Sequence, residues 1–183
     1  VEPANPDYSR QLARTYYNRG ILLAGSASTT EPAESDFRSA IRLLEPQAVA
    51  DIASAQELAR SYNNLAGLIS ATPGRLDEAR ALYERAIGID QRLVQAAPDN
   101  RGFQLELAKF RNNLASLLND LGQFEAASEQ SERAVALIDA LARLAPSLAV
   151  EQADARTLRG HILVARDPSA AARETRNAWS GPG

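Results

Sequence analysis

The chain has 183 residues, 45 % of them apolar and 23 % charged, with a net charge of −3. That is enough apolar material for a packed core; the charged fraction, close to the globular average, argues against disorder, and the mild acidity against nucleic-acid binding by bulk electrostatics. With no cysteine and a single histidine, His161, the composition excludes disulfides, thiolate metal sites and cysteine nucleophiles, and any serine–histidine pair has only His161 to use.

No apolar run approaches the roughly 18 residues a membrane-spanning helix needs. No phosphate loop, metal-ligand cluster or triad is visible, which predicts a non-enzymatic segment without cofactor or metal. The chain begins at Val1 and lacks methionine, so a fragment or processed product of a longer protein is expected. The compartment stays open, with a cytoplasmic setting favoured.

In chain order, the first pattern is "QLARTYYNRGILL" at 11–23. It returns as "ELARSYNNLAGLI" at 57–69 and "ELAKFRNNLASLL" at 106–118. Asn18, Asn64 and Asn113 mark the register, 46 and 49 residues apart. A second set follows each copy: Ala33 and Ala40, Ala79 and Ala86, Ala127 and Ala134. Two anchor sets with matching periods predict a repeat of helical hairpins. In the second copy, Leu58, Tyr62, Leu65 and Ile69 form one apolar helical stripe, and Ala79, Leu82, Ala86, Ile89 and Leu93 form its partner. The small residues Ala79 and Ala86 allow close approach. Gly74 and Gly122 suit the left-handed residue that ends a helix. Asp77–Glu78 reads as helix-start charge, not a catalytic dyad. Pro98–Asp99 and Pro146–Ser147 read as helix stops followed by new N-caps.

The predicted units are 7–46, 47–97, 98–145 and a degenerate fourth, 146–180. The fourth has a first helix near 148–165, a short last helix over 168–179 capped at Asp167–Pro168, and Trp179 as a plug on the end of the stack. A degenerate end unit suits an array whose last face meets water.

With "NLAGL", "NLASL" and the runs Ala79, Tyr83, Ala86 and Ala33, Phe37, Ala40, the chain resembles tetratricopeptide repeats. The resemblance is good over 7–141 and weak over 147–179. The usual period is about 34 residues, so the helices here are expected to be longer, about 20 residues each. Such long-helix repeats look most like those of kinesin light chains and of regions attached to bacterial serine/threonine kinases. "LVQAAPDNRGFQLELAKFRNNLASLLNDLG" is very similar to the latter. The third unit departs from the pattern: Arg111 stands for Tyr16 and Tyr62, and Ser131 for Phe37 and Tyr83. Looser packing is expected there.

The resemblance implies an all-α fold, a right-handed superhelix of about four antiparallel helix pairs. It also implies that the polar side of each first helix faces a concave groove. Candidate partner-binding residues are then Arg14, Tyr17 and Asn18, Arg60, Asn63 and Asn64, and Lys109, Asn112 and Asn113, with His161 pointing the same way in the fourth unit. A carboxamide offers both donor and acceptor to a peptide backbone, and the basic row Arg14, Arg60, Lys109 favours acidic side chains or a C-terminal carboxylate. Arg14/Asn18, Asn64 and Lys109/Asn113 resemble the set with which some tetratricopeptide domains hold a terminal carboxylate, with asparagine in place of the last cation. The asparagine ladder has two readings, a contact to a ligand or a bond to the neighbouring helix. The expected function is a protein-interaction scaffold; the alternative is self-assembly through helix faces or array ends, with homo-oligomers as its product.

Overall fold

The computed structural model describes residues 6–167. Among them every regular element is helical. The chain divides into two compact units, 1–110 and 111–183. The division falls within one helix, α5 (Arg101–Asp120). The first unit contains α1 (Pro6–Leu23), α2 (Thr30–Leu44), α3 (Ile52–Ser70), α4 (Leu76–Ala96) and the start of α5. The second contains the rest of α5, α6 (Phe124–Ala142) and α7 (Ala149–Arg166). The last helix expected over 168–179, and Trp179, lie outside the described residues.

Burial follows the apolar stripes. Leu58, Tyr62, Leu65 and Ile69 of α3 are buried, as are Ala79, Leu82, Ala86, Ile89 and Leu93 of α4. Ala33, Ala40, Ala79 and Ala86 are wholly buried, so each second helix meets its neighbours with nothing larger than a methyl at those points. The helices run 15 to 21 residues, with α2 the shortest. Asparagine inside α3 and α5 is tolerated because burial of the opposite face outweighs a propensity cost of under about 0.7 kcal/mol per residue.

The connections are built by specific groups. Gly74 and Gly122 take positive φ, +81° and +71°, between α3 and α4 and between α5 and α6. The Asp51 carboxylate caps α3, accepting from the Ala53 and Ser54 amides and the Ser54 hydroxyl. Two expected caps move. Asn100, not Asp99, caps α5, accepting from Gly102 and Phe103. Pro146–Leu148 forms a short 3-10 turn, and Ser147 does not cap α7. Leu148, the residue before α7, has φ −86° and ψ 14° and caps the helix with no side-chain bond.

Within unit 1 the first hairpin differs from the second in how it is tied. Arg19 donates to both oxygens of buried Asp36 at 2.6 Å, joining α1 to α2. The second hairpin has Leu65 and Leu82 at these two repeat positions. On the outer side, Arg38 and Arg75 hold Glu34 and Glu78 in one network, linking α2 to the α4 end. Hydrogen bonding from Arg75, with Arg38, holds the Glu34 carboxyl down to about 2. Glu78 therefore serves this network.

In unit 2, Arg111 is buried although it replaces a tyrosine. It donates to Gln130 of α6 at 2.7 Å, beside the fully buried Ser131. Burial lowers its pKa. Polar contact thus substitutes for the aromatic packing of the earlier hairpins. Gln152 and Arg156 of α7 donate to Asp139 of α6. His161 is exposed on α7.

Gly20 offers a test of the α1–α2 contact. A Cβ there would lie 2.9 Å from the ring of Phe37, which is 1 % exposed. In α4, Gly88 has open space at the same point. Helix propensity favours alanine by about 1 kcal/mol at either site. We expect Gly88→Ala to raise the melting temperature and Gly20→Ala to lower it, the clash costing about 1–3 kcal/mol, as followed by circular dichroism.

Candidate functional site

Seven of the nine candidate residues, Arg14, Tyr17, Asn18, Arg60, Asn63, Asn64 and Lys109, line two adjoining depressions on unit 1. The first, about 230 Å³, is walled by Arg14, Tyr17, Asn18, Glu57 and Arg60 over a floor of Ala13 and Leu44. The second, about 310 Å³, is lined by Tyr17, Arg60, Asn63, Asn64, Glu106, Lys109 and Phe110, among others. Tyr17 and Arg60 belong to both, so they form the ridge between them. Asn112 and Asn113 belong to unit 2. Asn112 is half-buried with its carbonyl oxygen unbonded, and Asn113 is exposed and engaged in an interaction.

The two depressions carry the same constellation in different states. In the second, the Arg60 guanidinium is hydrogen-bonded to Glu106 through Nε at 2.7 Å and again through Nη2. Gln56 donates to the other Glu106 oxygen at 3.0 Å. Asn64 donates to the Tyr17 hydroxyl at 2.9 Å, reaching from α3 to α1, and accepts from Asn63 at 3.4 Å. In the first depression the equivalents are Arg14, Asn18 and Glu57. Arg14 and Asn18 are exposed and make no side-chain hydrogen bond to a described residue. Glu57 feels the charges of Arg14, Arg10 and Arg60 yet keeps one buried oxygen unbonded, and burial raises its pKa.

Three acids here were not among the candidate residues: Glu57, Glu106 and Asp90. Glu57 and Glu106 could have been found, because each stands three residues before a member of the basic row, close to one helical turn. Asp90 is the surprise. It is fully buried, and neither oxygen has a hydrogen-bond partner. Its repeat equivalents are Leu44 and Ile138, both core residues. Burial pushes its pKa up to about 7, helped by Glu106 and opposed by Arg60. A buried, unpaired carboxylate is kept neutral this way. Among the described residues no cluster of His, Asp and Glu could hold a metal ion, and no helix is long and apolar enough to cross a membrane.

Residues 59–92 and 108–140 match the tetratricopeptide repeat. None of the curated proteins matches the chain. The crystal structure of BtubC (BKLC) from P. vanneervenii is similar in fold: TM-score 0.61 at 19 % identity, over 100 % of this chain and 69 % of that one. The designed helical repeat protein DHR64 is also similar, with TM-score 0.46 at 18 % identity, over 93 % of this chain and 100 % of that one. Two stretches of the chain thus match tetratricopeptide repeats, within an all-α helical-repeat fold. Both matched stretches start within a hairpin's first helix. The turns before them, 52–58 of α3 and 101–107 of α5, bring in Glu57 and Glu106.

The Asp90 shift has a consequence for stability. Unfolded, the group ionises near 4; folded, near 7. Between these values the folded chain holds a proton the unfolded chain has lost, so stability falls as pH rises from about 4 to about 7. Asp90→Leu, the residue of the first hairpin, should stabilise the fold by a few kcal/mol at pH 8 and by less at pH 5. Urea unfolding at the two pH values measures the difference.

Proposed function

We propose that this tetratricopeptide-repeat array is a protein-interaction module whose unit 1 depressions bind an extended segment of a partner. The observation that carries this reading is the contrast between equivalent sites. Arg60 and Asn64 are satisfied within the chain, whereas Arg14 and Asn18 stand exposed, with no side-chain hydrogen bond among the described residues, beside the apolar floor of Ala13 and Leu44. A guanidinium with five donors fits a carboxylate, either an acidic side chain or a C-terminus. The Asn18 carboxamide fits a backbone amide. Tyr17, whose oxygen accepts from Asn64, keeps its O–H to donate. The likeness of the third unit to repeats attached to bacterial serine/threonine kinases supports a recruiting or regulatory region of such a signalling protein.

A second reading, self-association, is favoured by α1, which leaves Tyr8 71 % and Leu22 81 % exposed. Sedimentation velocity over a hundredfold concentration range separates the two. A monomer throughout removes the second reading.

For the first, peptides displayed on phage with free C-termini serve as the probe. The selected sequences, made with free and amidated ends, are titrated by fluorescence anisotropy. Arg14→Ala and Asn18→Ala should each weaken binding tenfold or more with an unchanged melting curve. Wild-type affinity in both variants would remove the depressions as the site.

A further inference from the structure

The unusual group in unit 1 is a fully buried acid of α4, Asp90. Asp90 occupies the place where the first hairpin has Leu44, the floor beneath Arg14 and Glu57. In the same repeat register, the pair equivalent to Arg14 and Glu57, Arg60 and Glu106, is closed by hydrogen bonds. Both Asp90 oxygens are buried and unbonded, and the two charges acting on them are Arg60 of α3 and Glu106 of α5. Glu57 of α3, Lys109 of α5, and Arg14 and Tyr17 of α1 line the depressions on either side of Arg60. On α4 itself the nearest cations in sequence, Arg85 and Arg92, are exposed.

We propose that Asp90 and Glu106 compete for the single guanidinium of Arg60, and that the proton on Asp90 decides which acid holds it. With Asp90 protonated, Arg60 lies across to α5 and the ridge between the depressions is up. When Asp90 loses its proton to solvent, a bare buried carboxylate is left, and desolvation of an unpaired charge is costly enough to draw the nearest cation. Arg60 turns down onto α4, Glu106 is released to water, and the two depressions join. The pKa of about 7 for the closed arrangement puts the exchange in the physiological range. Arg60 is suited to it: its side chain is 40 % exposed and remains charged throughout. The effect on ligands, a longer continuous groove at higher pH, rests on the binding role proposed above. The exchange itself needs no ligand.

The test therefore uses the full chain alone, labelled with carbon-13 at the aspartate carboxyl and nitrogen-15 at arginine, and titrated by NMR from pH 4 to 9. The Asp90 carboxyl should titrate well above the ordinary carboxylate range, and the Arg60 Nε–H resonance should move with the same midpoint. Glu106→Gln should lower that midpoint by a factor of ten or more in proton affinity, since Arg60 is then free to turn. Asp90→Asn should leave the Arg60 resonance flat across the titration. If that variant fails to fold, Asp90→Leu, which matches the first hairpin, gives the same reading. An Asp90 midpoint near 4, or an Arg60 resonance indifferent to Asp90, overturns the switch. Because no peptide is present, either result stands apart from success or failure of the phage selection.

Discussion

Close approach at alanine is the constraint on which both units depend. Ala33, Ala40, Ala79, Ala86, Ala127 and Ala134 are all wholly buried. At such points helix backbones come near enough for the larger residues around them, Phe37, Tyr62, Tyr83 and Leu65, to interlock. A side chain larger than methyl would separate the helices and void the surrounding contacts. Once the apolar stripe of a first helix is committed to that contact, the opposite stripe is released from packing duty. Polar residues can occupy it at little cost to the fold, which is how a helix such as α3 carries Arg60, Asn63 and Asn64.

The same frame explains why one constellation exists in two states. Arg14, Asn18 and Glu57 line one depression with Leu44, while Arg60, Asn64 and Glu106 line the next, and Asp90 holds the repeat position of Leu44. In the second set each polar group has found a partner in the chain: Glu106 takes Arg60 and Gln56, and Tyr17 takes Asn64. In the first set the counterpart of Gln56 is Arg10, which is turned instead to Asp7 and Asp51. Its electrostatic pull still reaches Glu57, but no hydrogen bond closes the pair. The exchange of Gln56 for Arg10 thus accompanies the difference between the closed pair and the open one.

Arg111 and Ser131 show how far the frame tolerates departure. The loss of two aromatics in one hairpin is met by a buried guanidinium bonded to Gln130 and by a small, fully buried serine. Among the described residues of α7 only Ala155 and Ile162 are buried, while Val150, Leu163 and Val164 are exposed.

Periodicity alone determined the helical hairpins, the buried stripes and the positive-φ turns at Gly74 and Gly122, because these follow from spacing along one helix and from the steric freedom of one residue. It also picked out the polar stripe, including Arg14, Asn18, Arg60 and Asn64, as the face left over. It could not say which members of that stripe satisfy one another. The Asn64 bond to Tyr17 and the Arg60 bond to Glu106 each join residues more than 45 positions apart, across different helices, and depend on distances set by packing. Nor could it single out Asp90, which sits beside Ile89 at the edge of a readable apolar stripe. Its solitude arises only when the helices pack and remove water, and that burial is a property of the assembled fold.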